Sequence, residues 1–349
     1  MIFPELQYYP QNWENGMKLG AEHFRHLEDS VEDQQRDVRA IALHAVMGFG
    51  LLPDSQLVIS SSPGSNAQTV RLTLESCRAV LPGGYRVEIN QDTFRQLQIP
   101  LSLPVVEFVA TAGERFHVFL VVREGRRLPA GTPETRPIRH PYLVPDCTLE
   151  CLSQEKARAA MKPGPNRMKI AEWQDGKLAE GYIPAILSLK GNALAFKWYL
   201  FFQSQLDAIV RFGNQVIMEH RIKDPARVAF CMPILSSIRQ TQGYFKWVLP
   251  DKPPVYLIAY FGDLAGLVES LLDTLDRDFV RNQLKDGQVN QLRACAQGFL
   301  KIPQLPFEET AAVFVYMQRF AEALQLTVRG LITYQAPTPR SGERNISAG

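Results

Sequence analysis

KWYLFFQSQLDAIVRFGNQVIMEH, Lys197–His220, is where the 349-residue chain changes its period. Within it Leu206, Ile209, Gly213, Val216 and His220 recur at three- and four-residue steps, the spacing of one helix face. The chain before it reads differently. From about Ser55 to Phe196 it carries short alternating or β-branched runs, LVIS, TVRLTLES, YRVEIN, VVEFVATA, RFHVFLVVRE and TLECLS, separated by the turn sequences SSPGSN, PGG and LPAGTP. Strands of that length and spacing predict an antiparallel β-sandwich or barrel. The fold class is therefore α+β, with the change of period near residue 196.

After His220, Asp224-Pro225 supplies an N-cap and first-turn proline for a helix over Ala226–Val248, which Pro233 must kink or delay. A further helix follows Pro253-Pro254, with Leu257, Phe261, Leu264, Val268 and Leu271 at heptad-like steps. Asp276–Pro303 is mixed and holds a shorter helix. A last one opens after Pro306, where Glu308 and Glu309 suit the helix dipole, and runs through Phe314, Met317, Ala321, Leu324 and Val328. Such apolar stripes predict a bundle over residues 197–330. Residues 331–349, ending APTPRSGERNISAG, read as a disordered tail. At the other end Ala21–Met47 has no proline and places Phe24, Leu27, Val31, Val38, Ile41 and Ala45 mostly at helical steps, so a long amphipathic helix precedes the strands in a first domain of residues 1–196. The run GRRLPAGTPETRPIRHP, Gly125–Pro141, reads as a solvated excursion between strands or as a contact loop.

Charge is nearly balanced, 38 Lys and Arg against 36 Asp and Glu, which gives no field that would select nucleic acid or an anionic membrane. Five scattered cysteines are an odd number and read as reduced thiols, the usage of a cytoplasmic protein. The opening MIFPELQYYPQNW has neither a basic nor a continuous apolar region, so no secretory leader is expected. The most apolar long stretch, Tyr182–Phe202, contains Lys190, Asn192, Lys197 and Pro184 and is not expected to insert in a membrane.

Sites of chemistry are sparse. There is no Gly-rich phosphate loop, dinucleotide fingerprint or nucleophile elbow. His23 and His26 could share a helical face but lack a third metal ligand, which favours capping or packing. Cys147 and Cys151 sit in a strand-like run and read as ordinary thiols. Asp273, Asp276 and Asp278 lie beside Arg277 and Arg281 as a solvated charge cluster. No catalytic, cofactor or metal residue is expected, and a structural role outweighs an enzymatic one.

Three segments resemble the TssK family of type VI secretion baseplate subunits. Trp13-Glu14-Asn15-Gly16-Met17-Lys18-Leu19, followed by Glu22-His23-Phe24, resembles the family's opening of Trp, acid, Gly-Met and Gln-His-Phe. Here Asn15 is inserted and Glu22 stands in place of Gln. Gly181–Leu189 is similar to the family's junction between strands and bundle, and Pro253–Leu257 with Gly262–Gly266 to its proline-led helix. The resemblance implies a shoulder domain like those of siphophage receptor-binding proteins, a helical neck, a homotrimer, and attachment to a TssG and TssF wedge. The family's C-terminal head, which meets the membrane complex, is expected to be absent, and a TssL-type contact with it. Trp13, Gly16, Met17, Leu19, His23 and Phe24 are the expected partner-binding residues. Leu206, Ile209, Val216, Leu257, Phe261, Leu264, Val268 and Leu271 are expected to form the seam between copies. The rival reading is a phage-like tail module that binds a cell-surface ligand.

Overall fold

The protein is described from a computed structural model, over residues 8–10, 12–42, 49–66, 68–90, 94–95, 103–111, 113–136, 138–159, 166–221, 224–274, 286–302 and 309–333. These form two compact units. The first runs to Lys197 and includes Val248–Pro254 and residues 309–311; the second holds the rest. Residues 334–349 of the expected tail, residues 43–47 of the expected first helix, residues 276–285 ahead of the helix in Asp276–Pro303, and Glu308 lie outside the described residues; residues 331–333, expected in the tail, instead end the last helix, with Leu331 buried.

The first unit opens with helix α1 (Ala21–Ala42) and continues as an antiparallel β structure. Its spine is β3 (Thr69–Val80), which pairs with β1 (Gly50–Leu51), β2 (Val58–Pro63), β4 (Arg86–Ile89) and β5 (Val105–Val109). Alternation sends Leu72 and Leu74 inward. Across the β2 pairing, Val58 faces Ser76 while Ile59 faces Leu74, so Glu75 is the extra residue of a bulge. That resets the phase, and Cys77 and Ala79 follow inward in place of Ser76 and Arg78. A second sheet has the order β11 (Lys177–Leu178), β10 (Arg167–Gln174), β6 (Phe116–Ala130), β9 (Tyr142–Ser153), with the short helix α2 (Gln154–Ala159) after β9. The two sheets meet through Phe108 of β5, whose ring centroid lies 5.0 Å from Phe116 and 5.9 Å, edge-on, from Trp173.

Two features of this unit depart from the sequence reading. The Gly125–Pro141 excursion is ordered: β6 and β9 stay paired out to Ala130 and Tyr142, beyond a wide bulge between Val122 and Arg127, and β7 (Glu134–Thr135) pairs with β8 (Ile138–Arg139) at the tip. Strand β10 has no counterpart among the expected runs. In it a bulge at Ile170 lets Lys169 and Glu172 meet at 2.7 Å with Lys169 buried, its Nζ 4.7 Å above the Tyr182 ring.

The unit closes where Leu51 bonds Ala185 and Leu187, and Ser188, fully buried, donates to the Pro250 carbonyl at 2.9 Å. Asn192 then caps α3 (Ala193–His220) by accepting from the Ala195 amide at 3.0 Å.

The second unit comprises most of α3 with α4 (Pro225–Trp247), α5 (Pro254–Thr274), α6 (Asp286–Leu300) and α7 (Thr310–Thr333). Asp224 caps α4 as expected, and the helix passes through Pro233 without a late start. Phe202 is the hub of the core, 4.9 Å from Phe261 and 5.9 Å from Phe314. Helix α5 is long and apolar enough to cross a membrane, but Leu257, Phe261, Leu264, Ala265 and Val268 on it are buried in this core. At one end of the bundle Arg227, buried, pairs with Asp224 at 2.9 Å and donates to the Leu331 carbonyl at 2.6 Å, which satisfies an otherwise orphaned C-terminal carbonyl of α7.

The expected seam between copies is corrected by these contacts. Leu206, Ile209, Val216, Leu257, Phe261, Leu264 and Val268 are buried inside the chain's own bundle and Leu271 is half-buried, so the heptad-like spacing is that of an intramolecular core. Gly262 and Gly266 are not positions of close approach, since a Cβ at either meets nothing within 4 Å. Gly50 is the opposite case: its φ is +143° and a Cβ there falls 2.8 Å from the Ala185 backbone, which cannot yield. Gly50→Ala should therefore lower stability by about 2–4 kcal/mol. Gly262→Ala should raise it by about 0.5–1 kcal/mol through helix propensity alone. Denaturant melts of the two variants against the parent check the contrast.

Candidate partner-binding surface

The N-terminal arm is shaped by short-range bonds. The Met17 amide donates to the Glu14 carbonyl at 3.2 Å, closing a turn in which Gly16 takes φ +84°, a conformation that costs a side-chain-bearing residue. The Gly20 amide donates to His23 Nδ1 at 3.0 Å, so His23 takes the capping role at the start of α1. This turn brings Trp13 back over the helix, its ring 6.1 Å from Phe24 and 6.5 Å from His23. Trp13 and Phe24 nevertheless remain 45% and 50% exposed, and Leu19 59%. Met17 and His23 are half-buried. The structure thus gathers Trp13, His23 and Phe24 into one small aromatic cluster, with Gly16 and Met17 forming the turn behind it and Leu19 standing apart in solvent.

Helix α1 is held by its polar side. Ser30 and Asp33 are buried, and Asp33 accepts from the Tyr8 amide at 3.2 Å. Arg127, at the bulge of the β6–β9 hairpin, reaches Glu28 at 2.7 Å and Asp29 at 2.9 Å. Meanwhile Leu27, Val31 and Val38, on the apolar stripe, are exposed. The sequence shows which face of α1 is apolar. It does not show that the polar face is the one turned toward the β structure, and the only forewarning was the Arg126-Arg127 pair in the Gly125–Pro141 run opposite the acids of α1.

The chemistry elsewhere is quiet. Among the described residues no group of His, Cys, Asp and Glu is arranged to hold a metal ion. Burial pushes the thiols of Cys77, Cys147, Cys151 and Cys231 up to about 12, so they stay protonated at neutral pH. Asp273 pairs with Arg293 at 3.2 Å, while Asp276 and Asp278 lie outside the described residues. A groove of about 690 Å³ in the first unit carries Asp54, Ser55 and Lys190 on its wall. All three are engaged structurally: Asp54 with Arg78, Ser55 with the Arg78 amide, and Lys190 with Asp251.

A β-sandwich carrying an outlying N-terminal helix and followed by a helical bundle defines a structural class, and comparison with solved structures identifies its example. The fold is that of TssK. A TssK crystal structure superposes with a TM-score of 0.54 at 13% identity, over 90% of this chain and 69% of that one. A chain of the type VI secretion baseplate complex gives 0.57 at 14%, over 91% and 99%. A chain of the TssK-TssF-TssG baseplate subcomplex, determined by cryo-electron microscopy, gives 0.54 at 14%, over 92% and 100%. By sequence, no family model and no curated protein matches.

Because Arg127 is the charged link between α1 and the hairpin, Arg127→Ala should loosen the helix by about 1 kcal/mol, roughly fivefold in its opening equilibrium, and leave the rest of the protein intact. Hydrogen exchange should rise over residues 21–42 while the global melting midpoint stays put.

Proposed function

We propose that this chain is a non-enzymatic, cytoplasmic adaptor of a type VI secretion baseplate, working as a homotrimer and attached to a TssF/TssG wedge through its N-terminal arm. The observation that carries the reading is the exposed Trp13–Phe24 cluster, presented on a fold shared with TssK, one of whose solved relatives is a TssK-TssF-TssG assembly. Aromatic side chains of this kind anchor interfaces because each removes a large rigid apolar surface from water at little entropic cost. Gly16 and Met17 fix the turn that presents Trp13, His23 caps the helix that presents Phe24, and Leu19 extends the apolar patch. The near balance of charge fits a protein partner better than nucleic acid.

The test is capture of the host's wedge proteins by the purified chain. Trp13→Ala should weaken capture by about 2 kcal/mol, roughly 30-fold in Kd, with the far-ultraviolet circular dichroism unchanged because half of the ring lies in solvent. Undiminished binding by Trp13→Ala would move the wedge contact off the arm, and failure of the parent chain to capture the wedge would end the adaptor reading.

A further inference from the structure

Between α1 and the β6–β9 hairpin lies a cavity of about 280 Å³, walled by Arg25, Asp29 and Glu32 of the helix and by Arg123, Arg126 and Arg127 of β6, with Tyr8 and Tyr85 completing the lining. That volume holds several waters and so has room for a polyatomic ion. The charges of the wall are unevenly matched. Arg127 is taken by Glu28 and Asp29, at 2.7 and 2.9 Å, and Arg123 by Asp146 at 3.2 Å. Glu32 also lies within electrostatic reach of Arg127. Arg25 and Arg126, one on the helix and one on the strand, have no hydrogen-bond or ion-pair partner among the described residues. A guanidinium carries five N–H donors and no acceptor, so what this cavity lacks is acceptor oxygens for two forks.

We infer that this cavity binds a small phosphate-type oxyanion, of the class of inorganic phosphate or diphosphate, between Arg25 and Arg126. The number of oxygens selects the ligand. A carboxylate brings two, which satisfy one guanidinium fork, whereas a phosphate group brings three or four around a tetrahedron and can accept from two forks at once. A divalent anion also balances the two unpaired cations, which a single carboxylate does not. Asp29 and Glu32 share the wall, but both act on Arg127, which leaves the Arg25 and Arg126 side as the positive one. The consequence is mechanical. Because Arg25 belongs to α1 and Arg126 to the hairpin, the bound anion bridges the two beside the Arg127 pairs and tightens the hold on the helix that carries Phe24. The inference goes beyond the adaptor reading and does not depend on it.

The experiment titrates the full chain with diphosphate by isothermal calorimetry, at an ionic strength held constant with chloride. One saturable site per chain is expected, and hydrogen exchange over residues 21–42 should slow as it fills. Arg25→Gln and Arg126→Gln should each weaken binding about tenfold or more, because each removes a charged hydrogen-bond fork. Neither should move the thermal melt of the anion-free chain, since both side chains are exposed and unpaired. Arg126→Lys, which keeps the charge and loses the fork, should fall between them and the parent. Arg239→Gln, exposed on α4 in the second unit, should bind as the parent does. The inference is overturned if millimolar diphosphate gives no binding, if either cavity variant binds like the parent, or if Arg239→Gln loses as much. Saturation that leaves the exchange of α1 unchanged overturns it too, because the anion then sits elsewhere. Succinate bound as tightly as diphosphate would overturn the choice of phosphate. Capture by phosphatidylglycerol vesicles without a response to diphosphate would overturn the soluble ligand in favour of a lipid headgroup.

Discussion

The first unit hinges on one close approach of main chain to main chain. Gly50 lies so near Ala185 that no Cβ fits, and the gap closes only because the Leu51 amide donates to Ala185 at 2.8 Å while Leu187 donates back to Leu51 at 2.9 Å. On its other side Leu51 faces Ala79 of the spine strand, and Leu52 donates to Arg78. The exit of the β structure is thereby stitched to its entry strand, and through that strand to the spine. The consequences run onward along the chain: with residues 185–187 fixed, Ser188 is buried with its hydroxyl on Pro250, Leu189 donates to Lys252, and Asn192 is placed to cap α3. A bond between buried neutral groups, well separated in sequence, is worth about 1 kcal/mol, but losing one partner strands the other at a cost of about 1–3 kcal/mol, so such a stitch is more a condition of the fold than an increment to it.

Where local rules act alone, the elements were readable. Asp224-Pro225 marks the start of α4 because an N-cap and a proline at the first turn are chemistry of adjacent residues. The alternation of Thr69–Val80 marks a strand for the same reason. What escaped were elements in which one residue breaks the period. Strand β10 reads Arg-Met-Lys-Ile-Ala-Glu-Trp-Gln, and with Ile170 bulged it buries four consecutive residues, Lys169 among them, a pattern that neither a two-residue nor a 3.6-residue period fits. The hairpin arm escaped because its proline, glycine and arginine content resembles a loop, while its pairing is decided by the partner strand β9.

The misplaced seam has a different origin. Heptad-like spacing on α5 and the heptad on α1 are similar as sequence, and both report only that a helix has an apolar face. What covers that face is settled by supply. The described residues of the second unit bring five helices together and pack Phe202 against Phe261 and Phe314 from the same chain. For α1 the β structure supplies Arg127, which takes Glu28 and Asp29, while Ser30 and Asp33 are the buried positions of the helix.

That choice has an energetic logic. Burying Ser30 and Asp33 gains little hydrophobic free energy, and the Arg127 pairs are partly solvated, so α1 is held weakly in the isolated chain. Leaving parts of Leu27, Val31 and Val38 in water forgoes a share of the roughly 1.5–3 kcal/mol that full burial of each side chain brings, a share that the fold of one copy does not recover. Recovering it would mean rotating the helix through about a third of a turn, which would break the bond of Asp33 to the Tyr8 amide and both Arg127 pairs. Asp33 and the acids opposite Arg127 oppose the rotation. The polar side of α1 therefore fixes the helix against collapse onto its own sheet, and its apolar free energy stays available for association.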